Sequence, residues 1–154
     1  MKRLAAIFDI DGTLADVTHR LHLIDHSNYP ADLHTRKDWV EFKRRAADDP
    51  PVPNIVELAR TLHTAGYAIV CCTGRDDGMH SMTCAWLKQW GIPYDDLYMR
   101  AYDDRRDDTV VKRDLLDKIR LKYQPWIVIE DRVRVVAMWR EAGLTCLQCA
   151  PGNY

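Results

Sequence analysis

The chain has 154 residues, 47% of them hydrophobic, and a formal net charge of -1. That is enough for one domain with its own core, and the near-zero charge excludes a general attraction for polyanions, so any nucleic-acid contact must be local. The apolar run after Lys2 and Arg3 spans only Leu4 to Phe8, too short for a secretory signal, and no later run is long enough to span a membrane. Five cysteines, two of them adjacent at Cys71 and Cys72, fit buried thiols in a reducing cytoplasm better than a disulfide framework. Cys146 and Cys149 form a CxxC without a second pair at metal-ligand spacing, which makes zinc or redox use the weaker reading.

Leu4 to Thr13 (LAAIFDIDGT) reads as a buried strand that ends in two aspartates flanking Ile10. In an open α/β sheet the ligand crevice lies at the carboxyl ends of the strands, so Asp9 and Asp11 are expected to face substrate. Two carboxylates about 4 Å apart repel by about 4 kcal/mol at an effective dielectric of 20, which a cation or a proton must relieve. A division of labour follows: one ionised aspartate as nucleophile and metal ligand, the other protonated as general acid. Gly12 permits the tight turn, and the Thr13 hydroxyl is expected to hold it by bonding back. Gly follows the first acid by three residues, which does not match an EF-hand calcium loop. The bland alternative is a strand followed by a polar turn.

Residues 15–53 are too long for an ordinary connection and read as a small helical cap. Helical spacing covers Asp16 to Asp25 and Thr35 to Ala47, with Asn28-Tyr29-Pro30 as the break. Arg20 is a solvated helix residue or a planar clamp for a phosphate, and His22 and His26 are ordinary polar groups before they are ligands. After Pro50 and Pro51 a helix capped by Asn54 is expected, with Ile55, Leu58, Ala59 and Leu62 on its inner face and Gly66 at its end. Tyr67 to Cys72 is a second buried strand. It stops at Thr73-Gly74-Arg75, a hydroxyl, a flexible residue and a guanidinium that together suit an oxyanion, or simply a capped loop.

Met79 to Gly91 carries Met82, Ala85, Trp86 and Trp90 at helical spacing, a core stripe. A weaker strand, Tyr94 to Arg100, leads into a loop where Arg100, Arg105, Arg106 and Arg113 alternate with Asp103, Asp104, Asp107 and Asp114. Lys112 then falls near a helix start, where the macrodipole disfavours a cation. Reaching back toward a phosphate and Asp9, with Asp108 to orient it, would account for that position. Trp126 to Ile129 is a third buried strand ending in Glu130-Asp131, and acids converging on the first pair suit a hard cation such as Mg²⁺. A helix through Arg132 to Gly143, a strand Leu144 to Gln148 and a turn from Ala150 to Tyr154 complete the chain.

Asp9-Ile10-Asp11-Gly12-Thr13, Thr73-Gly74-Arg75, Lys112 and Glu130-Asp131, in that order, resemble the four signatures of the haloacid dehalogenase superfamily of phosphatases. Arg20, the stretch from Asp107 to Lys112, and Glu130 to the C-terminus further resemble the 3′-phosphatase domain of phage polynucleotide kinase/phosphatase. The resemblance implies an α/β, Rossmann-like three-layer sandwich: a central parallel sheet, a core of residues 1–14 and 54–154, and the 15–53 insert as cap. It implies that Asp9 forms an aspartyl-phosphate, that Asp11 protonates the leaving alcohol and later activates water, and that Arg20, Thr73, Gly74, Arg75 and Lys112 hold the phosphate. Thr13 and Asp108 would support them. Asp9, Asp11 through its backbone carbonyl, and Asp131 would hold Mg²⁺, with Glu130 assisting. Glu130 stands where the phage enzyme has Asp. No GxxxxGK[ST] occurs in these residues, so 5′-kinase activity is not expected unless a separate kinase or ligase partner supplies the rest of a repair reaction.

The resulting expectation is a Mg²⁺-dependent phosphomonoesterase acting on a 3′-phosphorylated nucleic-acid end. A nucleotidase or small-metabolite phosphatase shares the chemistry, and a non-catalytic phosphate-binding or nucleic-acid-binding module is the alternative of a different class. The oligomeric state is not legible in these residues.

Overall fold

The computed structural model describes residues 1–24 and 36–152, with the side chains of Arg36 and Lys37 left aside. His26, the Asn28-Tyr29-Pro30 break, Thr35 and the last two residues of the expected C-terminal turn lie outside that description.

Five strands form one parallel sheet in the order β3-β2-β1-β4-β5. They are β1 (Arg3–Phe8), β2 (Ala68–Asp76), β3 (Asp96–Arg100), β4 (Tyr123–Arg132) and β5 (Thr145–Gly152). The helices are α1 (Thr18–Leu21), α2 (Arg36–Arg45), α3 (Pro53–Thr64), α4 (His80–Gln89), α5 (Asp108–Lys122) and α6 (Val133–Glu141). The two-residue period of β1 divides the core. Ala5 and Ile7 pack with Val111, Leu115, Ile119, Val136 and Trp139 on the α5/α6 side, whereas Ala6 and Phe8 pack with Val56, Ala59, Trp86 and Leu87 on the α3/α4 side. Both faces are covered, which is why the strands read as unbroken apolar runs. The chain moves outward from β1 through β2 to β3, then returns to the other side of β1 for β4. The topological switch point, where such folds bind ligands, is therefore at the carboxyl ends of β1 and β4.

Several boundaries differ from the sequence expectation. α3 opens with Pro53 at its first turn after Val52, and Asn54 makes no cap. Ile55, Leu58 and Leu62 do pack on the core beside the buried Val56 and Ala59. The inner face of α4 is Thr83, Trp86 and Leu87, while Ala85 is exposed and Met82 only half-buried. β2 continues four residues past Cys72, pairing with β3 across a register shift between Thr73 and Asp76, so Thr73-Gly74-Arg75 is strand end rather than loop. Ala150-Pro151-Gly152 belongs to β5, an edge strand where proline is tolerated. α5 begins at Asp108, its N-cap Asp107 accepting from the Thr109 amide at 2.9 Å. Lys112 is thus one turn in, directly above Asp108.

Between β1 and α3 the described residues are α1, then α2 followed by a short 3₁₀ turn at Ala46–Asp48. α1 is shorter than the expected Asp16 to Asp25 helix, because the Asp16 carboxylate takes the Thr18 amide at 2.9 Å and starts the helix only there. Past Leu21 the chain winds to Ile24 through turn hydrogen bonds. The two ends of the insert are tied together, Asp16 N donating to Pro50 O and Val52 N to Leu14 O, both at 2.8 Å.

Candidate active site

The carboxyl ends of β1 and β2, with α1 and α5, bring Asp9, Asp11, Arg20, Thr73, Gly74, Arg75, Asp108 and Lys112 to one cavity of about 370 Å³, while Thr13, Glu130 and Asp131 lie behind its lining. Asp9 leaves β1 with its amide still paired to Ile129 O at 3.0 Å, and its carboxylate is nearly buried. Lys112 Nζ donates to Asp9 Oδ1 at 2.7 Å and to Glu130 Oε2 at 2.8 Å, with Asp108 Oδ2 at 3.5 Å. Burial opposes the Lys112 ammonium, but Asp108, Asp9 and Glu130 outweigh it and hold its pKa well above the ordinary lysine value. The cation that looked misplaced near a helix start is set by three carboxylates.

Asp9, Glu130 and Asp131 offer carboxylate oxygens all within 4.8 Å of one another, and all three are buried. Burial and the charge of Glu130 push the Asp9 carboxyl up, Lys112 pulls it down, and Asp131 adds to the rise. Three hard oxygens crowded at this spacing fit a small divalent cation such as Mg²⁺. Glu130 also has structural work. One oxygen takes Lys112 and, at 3.4 Å, the Trp139 indole, and the other accepts from the backbone amides of Asp131 and Arg132 at 3.2 and 3.3 Å.

Asp11 is drawn elsewhere. Its Oδ1 accepts from Arg20 Nη2 at 2.7 Å and from Arg75 Nη2 and Nε at 2.5 and 3.0 Å. Burial pushes its carboxyl up, yet the two guanidiniums outweigh that and bring it down to about 2. With the carboxylate cluster holding no cation, the surroundings favour the charged form of Asp11 and disfavour that of Asp9. The reason is that the two arginines converge on Asp11, while Asp9 faces Glu130 and Asp131 with one lysine.

Thr73 Oγ1 accepts the Arg75 amide at 3.1 Å, which holds the irregular end of β2. Gly74 lies so close to α5 that a Cβ would come within 2.5 Å of Asp108 Oδ1, so no larger residue fits without moving that carboxylate. Thr13 does not bond back across its turn by the hydroxyl. The turn is held by backbone bonds, Thr13 N to Ile10 O and Gly12 N to Ala15 O, with Gly12 at φ 82°. The Thr13 hydroxyl instead points at Asp131 Oδ1, 3.5 Å away.

The residue that sequence reasoning missed is Asp49. Its side chain is fully buried and accepts from Arg20 Nε at 2.7 Å, Arg20 Nη2 at 2.6 Å and Arg75 Nη2 at 3.1 Å, with His19 Nε2 2.8 Å away. The Trp86 indole fixes its backbone carbonyl at 2.8 Å. Arg20 also stacks 4.1 Å from the Phe42 ring centroid. Nothing in the sequence separates Asp49 from an acid ending a helix before two prolines. His22 is exposed and takes no part in the site.

Residues 3–154 match the family described as polynucleotide kinase PNKP phosphatase domain. The chain belongs to that family. It is a phosphatase domain of the haloacid dehalogenase type, a phosphoric monoester hydrolase. A protein of Autographa californica nuclear polyhedrosis virus named as a bifunctional polynucleotide kinase/RNA ligase is 29% identical over 140 residues, which cover 89% of this chain and 18% of that protein. The solved Pnkp1/Rnl/Hen1 complex contains a chain that is 28% identical with a TM-score of 0.79, over 99% of this chain and 48% of the other. A haloacid dehalogenase-like hydrolase from Streptococcus pneumoniae, at 19% identity, a TM-score of 0.63 and coverage of 94% and 83%, shares the fold. The chain thus spans about half the length of its solved relative and under a fifth of the viral one.

Proposed function

We propose that this chain removes 3′-phosphates from nucleic-acid ends through an aspartyl-phosphate. The observation that carries the reading is the family match over nearly the whole chain, joined to a cavity in which Asp9, Asp11, Arg20, Arg75 and Lys112 converge. Asp9 Oδ attacks phosphorus as the bond to the 3′ oxygen breaks. With Arg20 and Arg75 drawn from its carboxylate onto the incoming phosphate, Asp11 regains the capacity to carry a proton, gives it to the leaving alcohol, and then takes one from the water that splits the acyl phosphate. Arg20 and Arg75 already converge on one carboxylate oxygen of Asp11, and a phosphate oxygen suits the same donors. Lys112 keeps the Asp9 oxygen aimed, with Asp108 and Glu130 holding the ammonium.

Asp9, Asp131 and the Asp11 carbonyl would hold Mg²⁺, with Glu130 acting through Lys112 and the turn amides. Bound there, the ion would set positive charge against phosphate oxygens. Aligned positioning supplies roughly 7–11 kcal/mol, too little alone for a phosphomonoester, so charge stabilisation by cations must add the rest. Phosphate release from a 3′-phosphorylated oligonucleotide is therefore expected to stop in chelator and return on adding Mg²⁺. Full release in the presence of excess EDTA would overturn the metal assignment.

Residues 15–53 act in this reading as a small cap that delivers Arg20 and Asp49 to the site. The kinase and ligase steps belong to other chain segments or partners, in keeping with relatives that occur in an RNA repair complex or are named for kinase and ligase activities. A reducing cytoplasmic setting suits the five free thiols.

A further inference from the structure

Beyond the phosphate site the cavity is lined by Trp39, Phe42 and Lys43 from the insert and by Tyr102 and Arg105 from the loop that joins β3 to α5. A phosphate alone needs none of this wall. The other cations in this part of the cavity are committed: Lys43 pairs with Asp76, Arg100 with Asp108, and Arg132 with Asp108. Arg105 is exposed and makes no ion pair among the described residues.

Tyr102 is 63% exposed, with one edge of its ring against the backbone. It lies against Gly78, where a Cβ would come within 2.9 Å of the Tyr102 Cδ2, and Lys43 Nζ sits 5.9 Å from the ring centroid. The loop backbone is pinned from beneath by Arg100, which donates to the carbonyls of Asp104 at 3.2 Å, Arg106 at 2.6 Å and Gly74 at 3.0 Å. Arg106 closes the loop further onto Asp104 and Asp114. An exposed aromatic ring on a braced loop, next to an uncommitted guanidinium and at the mouth of a phosphatase cavity, is a preorganised platform for a base followed by a phosphodiester.

We propose that Tyr102 stacks on the terminal base of a 3′-phosphorylated strand and that Arg105 takes the phosphodiester on its 5′ side. This rests on the end-healing reading above and names the residues that would make the substrate a polymer end rather than any phosphomonoester. The segment that Arg100 pins for this purpose also carries Asp108, so the platform and the phosphate site are held in one register.

The test compares a short 3′-phosphorylated oligonucleotide, the matched nucleoside 3′-monophosphate and glycerol 2-phosphate, across a range of salt, in the parent, Tyr102→Ala, Tyr102→Phe and Arg105→Ala. Tyr102→Ala is expected to lower kcat/KM for both nucleotide substrates, relative to glycerol 2-phosphate, by about five- to 150-fold through KM, the range of one stacked base. Tyr102→Phe keeps the ring and should stay near the parent. Arg105→Ala should lower only the oligonucleotide, by about three- to tenfold, and flatten its log–log salt slope by about 0.7 for one lost phosphate contact. If the parent prefers the nucleotides to glycerol 2-phosphate, Tyr102→Ala retains that preference, and Arg105→Ala retains the parent's oligonucleotide kcat/KM and salt slope, the loop assignment is wrong while end healing stands. A parent that uses glycerol 2-phosphate but neither nucleotide overturns the end-healing reading and the platform together.

Discussion

Asp9→Asn is expected to eliminate measurable phosphate release, a loss of at least about 10⁴-fold, the scale at which a covalent nucleophile is removed. The amide has no anionic oxygen to form the acyl phosphate, and the neighbouring carboxylates are placed for other work: Asp11 on Arg20 and Arg75, Asp108 on Arg100 and Lys112, and Glu130 behind the cavity lining on Lys112. The same change should not harm the fold. Asp9 sits buried among Glu130 and Asp131, which push its carboxyl up alongside burial, and the asparagine oxygen can still accept from Lys112. Thermal unfolding in chelator should therefore be unchanged or slightly raised while turnover is gone. Release within tenfold of the parent would remove Asp9 from the nucleophile's place, and a large drop in unfolding temperature would mean that the carboxylate is chiefly structural.

The second large effect is expected at Asp49. Asp49→Ala leaves Arg20 and Arg75, both almost wholly buried, to share the single carboxylate of Asp11, and breaking a buried charge pair in this way costs about 3–5 kcal/mol. Activity should fall with stability, because the guanidiniums proposed to take the phosphate lose the carboxylate that aims them. Asp49→Asn keeps the shape and one acceptor oxygen, so it should cost less than the alanine in both. Denaturant unfolding at neutral pH, with phosphate release measured on the folded fraction, checks the pair of variants. An Asp49→Ala protein within about 1 kcal/mol of the parent and fully active would show that the arginines do not depend on it.

Much of this molecule was readable because covered parallel strands leave unbroken apolar runs. Leu4 to Phe8, Tyr67 to Cys72 and Trp126 to Ile129 mark the three inner strands and the places where polar groups emerge, and the weaker patterns at Tyr94 to Arg100 and Leu144 to Gln148 mark the two edge strands. Their ends were read short, since backbone pairing continues through Thr73-Gly74-Arg75 and Glu130-Asp131-Arg132, where side-chain polarity gives no sign of it. Lys112 was legible from a local conflict, a cation near a helix start. Asp49 was not, because its significance lies in partners 29 and 26 residues away rather than in its neighbours. Nor was the state of Asp11, which depends on two arginines from different elements arriving at one oxygen. Asn54 shows the opposite error: a good capping residue stood beside a proline better placed to begin the helix.

The central claim is best tested with one oligonucleotide carrying a phosphate at both its 3′ and 5′ ends, incubated with the parent chain and Mg²⁺ and followed by mass, with the remaining phosphate located by end-specific digestion. The account predicts loss of a single phosphate, from the 3′ end. Equal removal from both ends, or selective removal of the 5′-phosphate, would contradict it.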